Sequence, residues 1–155
     1  ALGNGVPIGA CLANTKAGEI FQAGNHGSTF GGNPLMCATA STVIDTIKSD
    51  KLIANAKKLG DYILSGFTEK LSAVSAVTQV RGQGLMIGIE LDDSKLSHDC
   101  ADFVKLALDK NLLINVAGGN VIRLLPPLII NQQHADTIIT TVSELIISSV
   151  QKAAA

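Results

Sequence analysis

One long amphipathic stripe constrains the fold of this chain most. Between residues 51 and 71, apolar side chains recur at intervals of three and four, while Lys57, Lys58 and Asp61 occupy the other side. This spacing predicts a helix, and a second apolar pattern predicts another helix at residues 34–47, with Ser49 and Asp50 as a start signal between them. Because each helix is apolar on one side only, both must pack against a sheet or against further helices.

Short apolar runs predict the strands that these helices need. The runs lie at residues 8–13, 74–80, 85–91, 112–116 and 121–125, and the last four flank two glycine-rich turns. Further helices are predicted at 97–110 and after Asn131, whose side chain can cap a helix. We therefore predict an α/β fold in which residues 49–155 form a small domain. Its sheet has three or four mainly antiparallel strands and is covered by helices on one face, and residues 1–48 belong to a different domain.

Composition excludes several classes of protein. The 155 residues carry a net charge of -1 with scattered basic residues, which argues against nucleic-acid binding, and no apolar run is long enough to span a membrane. Cys11, Cys37 and Cys100 are odd in number and far apart, which fits a reducing cytoplasm and argues against a disulfide framework. We expect each cysteine to be a small buried residue, and His98 and His134 to be solvated. No histidine has the spacing of a metal ligand.

The segment from His26 to Pro34 is the strongest candidate site. Its first seven residues contain three glycines, two hydroxyl side chains and a histidine, and Asn33 with Pro34 then provides a helix start. Glycines let the backbone approach a ligand, and hydroxyl and N–H groups are the donors that a phosphate or carboxylate needs. The segment predicts an anion-binding loop; a surface loop with a well-made helix cap is the alternative.

Three motifs resemble the class III aminotransferases, which depend on pyridoxal phosphate. They are HGSTFGGNP at residues 26–34, ALGNGVPIGA at 1–10 and RGQGLMIG at 81–88, in the order and spacing of that family. The resemblance implies the C-terminal part of a fold-type I enzyme, with residues 1–48 as a remnant of the large cofactor-binding domain and the start of the interdomain helix. It also implies that the Schiff-base lysine directly precedes Ala1, so we expect no catalytic residue within the chain. We further expect that cleavage of a longer protein after that lysine produced the N-terminus at Ala1.

The resemblance further implies roles for individual residues. The hydroxyl and backbone N–H of Thr29 would bind the cofactor phosphate in the neighbouring subunit's active site, which implies a homodimer, and Ser28 would contact substrate. Arg81 would meet a substrate carboxylate or a switching glutamate, because its planar guanidinium pairs with both carboxylate oxygens; an interdomain salt bridge is the alternative. We expect His26 to tie its loop to the backbone and Arg123 to be structural, paired with a carboxylate.

The resemblance implies an enzyme that transfers an amino group from N2-acetylornithine to 2-oxoglutarate. Ornithine and succinyldiaminopimelate remain alternative amino donors. Because the lysine is expected outside the chain, we expect the fragment by itself to be inactive, and the apolar run at 8–13 to make it self-associate. A non-catalytic anion-binding module and a purely structural dimerisation domain are the alternatives from other classes of protein.

Overall fold

The structure is a computed structural model that describes residues 2–151. Its helices are α1 (Thr15–Gly18), α2 (Pro34–Ser49), α3 (Leu52–Leu71), α4 (Phe103–Leu108) and α5 (Gln132–Ser149), and its strands are β1 (Val77–Gln83), β2 (Met86–Leu91), β3 (Asn115–Ala117) and β4 (Val121–Leu124). Two 3-10 turns, Asp93–Lys95 and Cys100–Asp102, precede α4. Contacts divide the chain after Leu52 into an N-terminal unit and a C-terminal unit.

The C-terminal unit is built on a four-stranded sheet in the order β1-β2-β4-β3. Every pairing is antiparallel, which confirms the predicted small α/β unit. Gly88 at the centre of β2 lies opposite Arg81 of β1 on one side and opposite Arg123 of β4 on the other. Since directly opposite residues point to the same face of a sheet, both arginine side chains leave the sheet on the face of Gly88.

The other face of the sheet forms the core of this unit. Strand β2 alternates between accessible and buried positions, and its buried side chains pack with residues of α3, α4 and α5. The side chains of Phe67, Phe103, Ile89 and Ile146 are all fully buried. Complete burial of a side chain of this size contributes about 1.5–3 kcal/mol to folding, so this cluster holds the three helices against the sheet. These helices all lie on the core face, and none of them covers the face that carries the two arginines.

Helix α3 touches the β1–β2 turn through two glycines. Gly84 in the turn has a φ of +55°, a conformation that favours glycine. A Cβ atom built on Gly60 would lie 2.1 Å from the Gly84 carbonyl oxygen, so the helix can approach this closely only without a side chain at that position. The contact fixes the β1–β2 hairpin against the middle of α3.

Polar contacts anchor both ends of α5. Asn131 accepts a hydrogen bond from the N–H of His134, and the His134 ring accepts one from the N–H of Asn131, which confirms the predicted cap. At the other end Leu96 pairs with Val150 in a β-bridge, and the His98 Nε2 atom lies 2.7 Å from the Ser149 Oγ atom. The prediction that His98 is solvated is therefore wrong, because this hydrogen bond and the Phe103 ring hold it half-buried.

The N-terminal unit has little core of its own. Ala40 is the one buried residue of α2, and Leu12 and Phe30 are 91% and 82% exposed. The predicted strand at 8–13 is wrong: these residues form no strand, because a strand needs a neighbour for its backbone hydrogen bonds and the described part of this unit contains none. The only helix that the structure describes in this unit before α2 is the short α1.

Two further expectations are corrected. The helix predicted at 97–110 is confined to α4, after two 3-10 turns. Of the three cysteines, only Cys100 is buried, whereas Cys11 and Cys37 are exposed in the thinly packed N-terminal unit.

Burial, reinforced by the nearby Asp93 carboxylate, raises the pKa of the Cys100 thiol to about 11. Within residues 2–151, no helix combines the length and the apolar character that crossing a membrane requires.

Candidate functional site

The glycine-rich loop at residues 26–33 ends in a helix start that is already capped. The Asn33 side chain accepts hydrogen bonds from the N–H groups of Leu35 at 3.0 Å and Met36 at 3.4 Å, and Pro34 has no N–H group to offer. This geometry confirms the predicted helix start. It also means that the first turn of α2 retains few free donors, so an anion at this loop would depend on the loop's own hydroxyl and amide groups.

The hydroxyl side chains of the loop are free. Ser28 and Thr29 are both exposed, and none of the side-chain hydrogen bonds within residues 2–151 involves either hydroxyl. Gly31 packs tightly against Ser28, since a Cβ atom there would lie 3.0 Å from the Ser28 Cβ atom. Two accessible hydroxyls on a tightly turned glycine loop form a donor set suited to phosphate or carboxylate oxygens.

A cavity of about 690 Å³ lies beside this loop within the N-terminal unit. Ser28, His26 and Cys11 contribute to its wall, together with the apolar side chains of Ile8 and Phe30, whereas Thr29 lies outside it. The His26 ring meets the Phe21 ring edge-on, with centroids 6.2 Å apart, and has no hydrogen bond to the backbone in the described part of the chain. The prediction that His26 binds the backbone of its loop is therefore wrong, and its ring contacts the Phe21 ring instead.

Arg81 is held by two side chains of its own sheet. Its Nη1 atom donates to the Glu90 carboxylate at 2.6 Å and to the Gln79 side-chain oxygen at 2.7 Å. Glu90 belongs to β2 and Gln79 to β1, so this ion pair lies within the C-terminal unit. The sequence alone does not reveal this contact of Glu90, because nothing in it indicates that the β1–β2 register aligns the two side chains.

Arg123 lies on the same face, across Gly88 from Arg81. A groove of about 490 Å³ runs over Gly88 between the two arginines, with mostly apolar walls that include Met86 and Val121. Arg123 is exposed, and the ion pairs among residues 2–151 include none to it, so the expected pairing with a carboxylate is wrong for this part of the chain. An unpaired guanidinium beside an apolar groove can bind a carboxylate in bidentate fashion.

The described residues contain no other arrangement that indicates a catalytic centre or a metal site. No group of three or more His, Cys, Asp or Glu side chains in residues 2–151 could hold a metal ion. The two candidate regions are thus the hydroxyl loop of the N-terminal unit and the arginine groove of the C-terminal unit.

Comparison with known proteins identifies the class. The family model for class-III aminotransferases matches residues 1–146, and the chain therefore belongs to the class-III aminotransferase family. Among curated relatives, the acetylornithine aminotransferase of Nitrosomonas europaea is 47% identical over 145 residues, which are 94% of this chain and 36% of the relative. The chain thus spans about a third of the length of the curated relatives that it matches.

Solved structures agree with this assignment. The acetylornithine aminotransferase of Elizabethkingia anophelis matches with a TM-score of 0.77 and 36% identity, over 88% of this chain and 36% of that chain. The ornithine aminotransferase of Toxoplasma gondii, crystallised with oxidised glutathione, matches with a TM-score of 0.80 and 30% identity, over 86% of this chain and 31% of that chain. That second structure is described as having partial occupancy of PLP at its active site. The predicted family and fold class are confirmed.

Proposed function

We propose that these residues are part of a pyridoxal-phosphate-dependent aminotransferase that transfers an amino group from N2-acetylornithine to 2-oxoglutarate, a step of arginine biosynthesis. The support is the family membership and the name of the relatives, acetylornithine aminotransferase, at up to 47% identity. We also propose that the enzyme is a cytoplasmic homodimer, in which residues 1–48 belong to the cofactor-binding domain and residues 49–155 form the small domain.

The hydroxyl loop fits the cofactor's phosphate, and this observation carries the proposal. Ser28 and Thr29 offer free hydroxyls next to glycines, while Asn33 already caps the helix that follows. The Thr29 hydroxyl and backbone N–H would bind the phosphate in the partner subunit's active site, and Ser28 would contact substrate. Pyridoxal phosphate, when bound, supplies the electron sink that makes amino transfer feasible.

The arginine groove fits a substrate carboxylate. Arg123 is exposed and unpaired within the described residues, whereas the Arg81 guanidinium is engaged by Glu90 and Gln79. Arg123 would therefore make the direct contact and Arg81 would flank it. The side-chain-free position at Gly88 leaves room for the carbon chain of an amino acid or oxo acid between them.

The 155 residues alone would not transaminate. In the family the lysine that holds the cofactor stands directly before the ALGNGVPIGA motif, and no lysine within this chain has that place. The residues present would bind phosphate and carboxylate groups, and the reaction would require the remainder of the enzyme. Activity is therefore tested on the full-length aminotransferase that contains this segment.

Replacement of Thr29 tests the cofactor site. In the full-length enzyme, Thr29→Ala removes one hydrogen bond to a charged group, which contributes about 1.5–3 kcal/mol, so the Kd for pyridoxal phosphate should rise about ten- to hundredfold. Equilibrium dialysis of the cofactor measures this directly. Thr29→Ser keeps the hydroxyl and should retain most of the affinity. Thr39→Ala removes a hydroxyl that donates to the Leu35 carbonyl within α2 and should have no effect.

An unchanged Kd in Thr29→Ala would refute the phosphate contact, and an equal loss in Thr39→Ala would reveal a general effect on folding. Substrate choice is tested separately by comparing kcat/KM for acetylornithine, ornithine and succinyldiaminopimelate. Ornithine is the second candidate, because ornithine aminotransferases are among the similar solved structures. A kcat/KM higher for ornithine than for acetylornithine would reverse the assignment.

A further inference from the structure

The end of α5 and the residues after it lie across the segment that joins the two 3-10 turns. We call residues 149–151 the strap and residues 96–99 the linker. The two segments run antiparallel, and Leu96 pairs with Val150 in a β-bridge. Leu96 is 3% exposed and belongs to the core cluster, so this pairing lies directly over an apolar side chain that the linker buries.

Three hydrogen bonds join the strap to the linker and to the residue before it. The Ser97 N–H donates to the Ser149 carbonyl at 2.8 Å. The Gln151 N–H donates to the Lys95 carbonyl at 2.9 Å. The Gln151 side-chain amide donates to the Leu96 carbonyl at 2.6 Å. Gln151 therefore supplies the donor in two of these three hydrogen bonds.

A histidine adds a side-chain contact between the same two segments. The His98 Nδ1 atom lies 2.9 Å from the Asp99 carbonyl oxygen, which can only accept, so Nδ1 carries the hydrogen of the neutral ring. The Nε2 atom therefore accepts from the Ser149 hydroxyl, 2.7 Å away. Because Ser149 is 4% exposed, the linker provides the partner that this buried hydroxyl needs.

Within residues 2–151, the strap is the only distant segment to which the linker is hydrogen-bonded. The linker's other hydrogen bonds stay within residues 92–102, as does the 3.9 Å contact between the His98 ring and the Asp102 carboxylate. When the strap leaves, the linker thus loses every hydrogen bond that fixes it to the rest of the C-terminal unit. Segments with so few attachments open at a lower free energy than the whole domain.

We propose that the strap and the linker open together as one local unit, and that this opening exposes the Cys100 side chain. Cys100 directly follows the linker and is 2% exposed. In the described part of the chain, its 3-10 turn is hydrogen-bonded only to the linker, through Asp99, and to the start of α4. The closed strap therefore shields the thiol, and this device does not depend on the amino transfer proposed above.

Gln151→Pro in the full-length enzyme tests the unit. Proline removes both donors of Gln151, and Val150 already has the extended backbone, with φ -69° and ψ 130°, that a residue before proline adopts. The loss of two hydrogen bonds should speed exchange of the Ser97 amide hydrogen about ten- to hundredfold. Hydrogen exchange followed by mass spectrometry of a peptide that covers the linker measures this rate.

Cys100 provides a second measurement of the same opening. Iodoacetamide alkylates an exposed thiolate with loss of iodide, and peptide mapping gives the rate at Cys100 alone. This rate should rise by the same factor as Ser97 exchange, because one opening exposes both groups. Exchange in β2 should stay as in wild type, since its pairings with β1 and β4 do not involve the strap.

Two further variants control for effects of the substitution itself. Gln132→Pro places proline at the first position of α5, where the N–H has no partner within the helix, so neither rate should change. Gln151→Ala removes only the side-chain hydrogen bond and should raise both rates about two- to tenfold. This second variant decides the question if Gln151→Pro does not fold.

Each possible result supports or overturns the inference. Unchanged Ser97 exchange in the Gln151 variants would overturn the strap. Faster Ser97 exchange without faster alkylation of Cys100 would show that the thiol does not belong to the unit and would refute the proposal. Equal acceleration of exchange in β2 would reveal general destabilisation in place of a local opening and would refute it as well.

Discussion

Replacing Gly60 by alanine should destabilise the C-terminal unit although alanine favours helices. The new Cβ atom would lie 2.1 Å from the Gly84 carbonyl oxygen, whereas carbon and oxygen atoms in close contact are about 3.3 Å apart. The obstacle is the backbone of a turn whose flanking strands are paired, so the helix and the hairpin must separate by about 1 Å to restore that spacing.

The expected magnitude follows from two opposing effects. Overpacking of this kind costs typically about 1–3 kcal/mol, and more where backbone must move, while alanine gains about 1 kcal/mol over glycine inside a helix. We expect a net loss of about 2 kcal/mol, which lowers Tm by roughly 8–16 °C for a unit of this size. Urea unfolding followed by far-UV circular dichroism gives the free energy, and a thermal scan gives Tm.

Gly66→Ala is a matched control in the same helix. Its Cβ atom would meet side-chain atoms of Ile139, with Cδ1 at 2.7 Å and Cγ2 at 3.2 Å, and a side chain can shift more easily than the backbone of a paired hairpin. The gain in helix propensity should offset most of that cost, so stability should stay within about 1 kcal/mol of wild type. If Gly60→Ala is as stable as Gly66→Ala, the close approach of α3 to the hairpin turn is not a constraint and the reasoning fails.

Two further predictions concern cysteine ionisation and the cofactor. Since burial raises the pKa of Cys100 to about 11 from an ordinary value of 9.0, its contribution to stability is complete below pH 9 and is lost as the pH rises towards 11. The urea midpoint of wild type should therefore fall more between pH 8 and pH 10.5 than that of Cys100→Ala, and parallel curves would contradict this. The isolated chain mixed with pyridoxal phosphate should give no borohydride-stable adduct at a single lysine; one modified lysine found by peptide mapping would refute its proposed inactivity.

The sequence predicts the parts of the fold whose signals are local. Asn33 and Asn131 begin α2 and α5 because an asparagine side chain satisfies free N–H groups wherever a helix starts. The prediction of a strand at 8–13 is wrong because its signal is not local. A strand needs a neighbouring strand for its hydrogen bonds, and apolar composition does not show whether one is present. The helix predicted at 97–110 is too long, because the N–H of Ser97 donates to the Ser149 carbonyl at the end of α5 and a 3-10 turn occupies Cys100–Asp102.

The two candidate sites also differ in how far their residues are separated along the sequence. The free hydroxyls of Ser28 and Thr29 occupy one continuous segment, so the residue types alone predict an anion-binding loop. The arginine groove depends on register between β1, β2 and β4, and β4 begins 30 residues after the end of β2. A one-residue slip of β4 would turn Arg123 to the core face. The burial of Ile122 and Leu124 in the core prevents that slip, so packing on one face of the sheet fixes the position of the cation on the other.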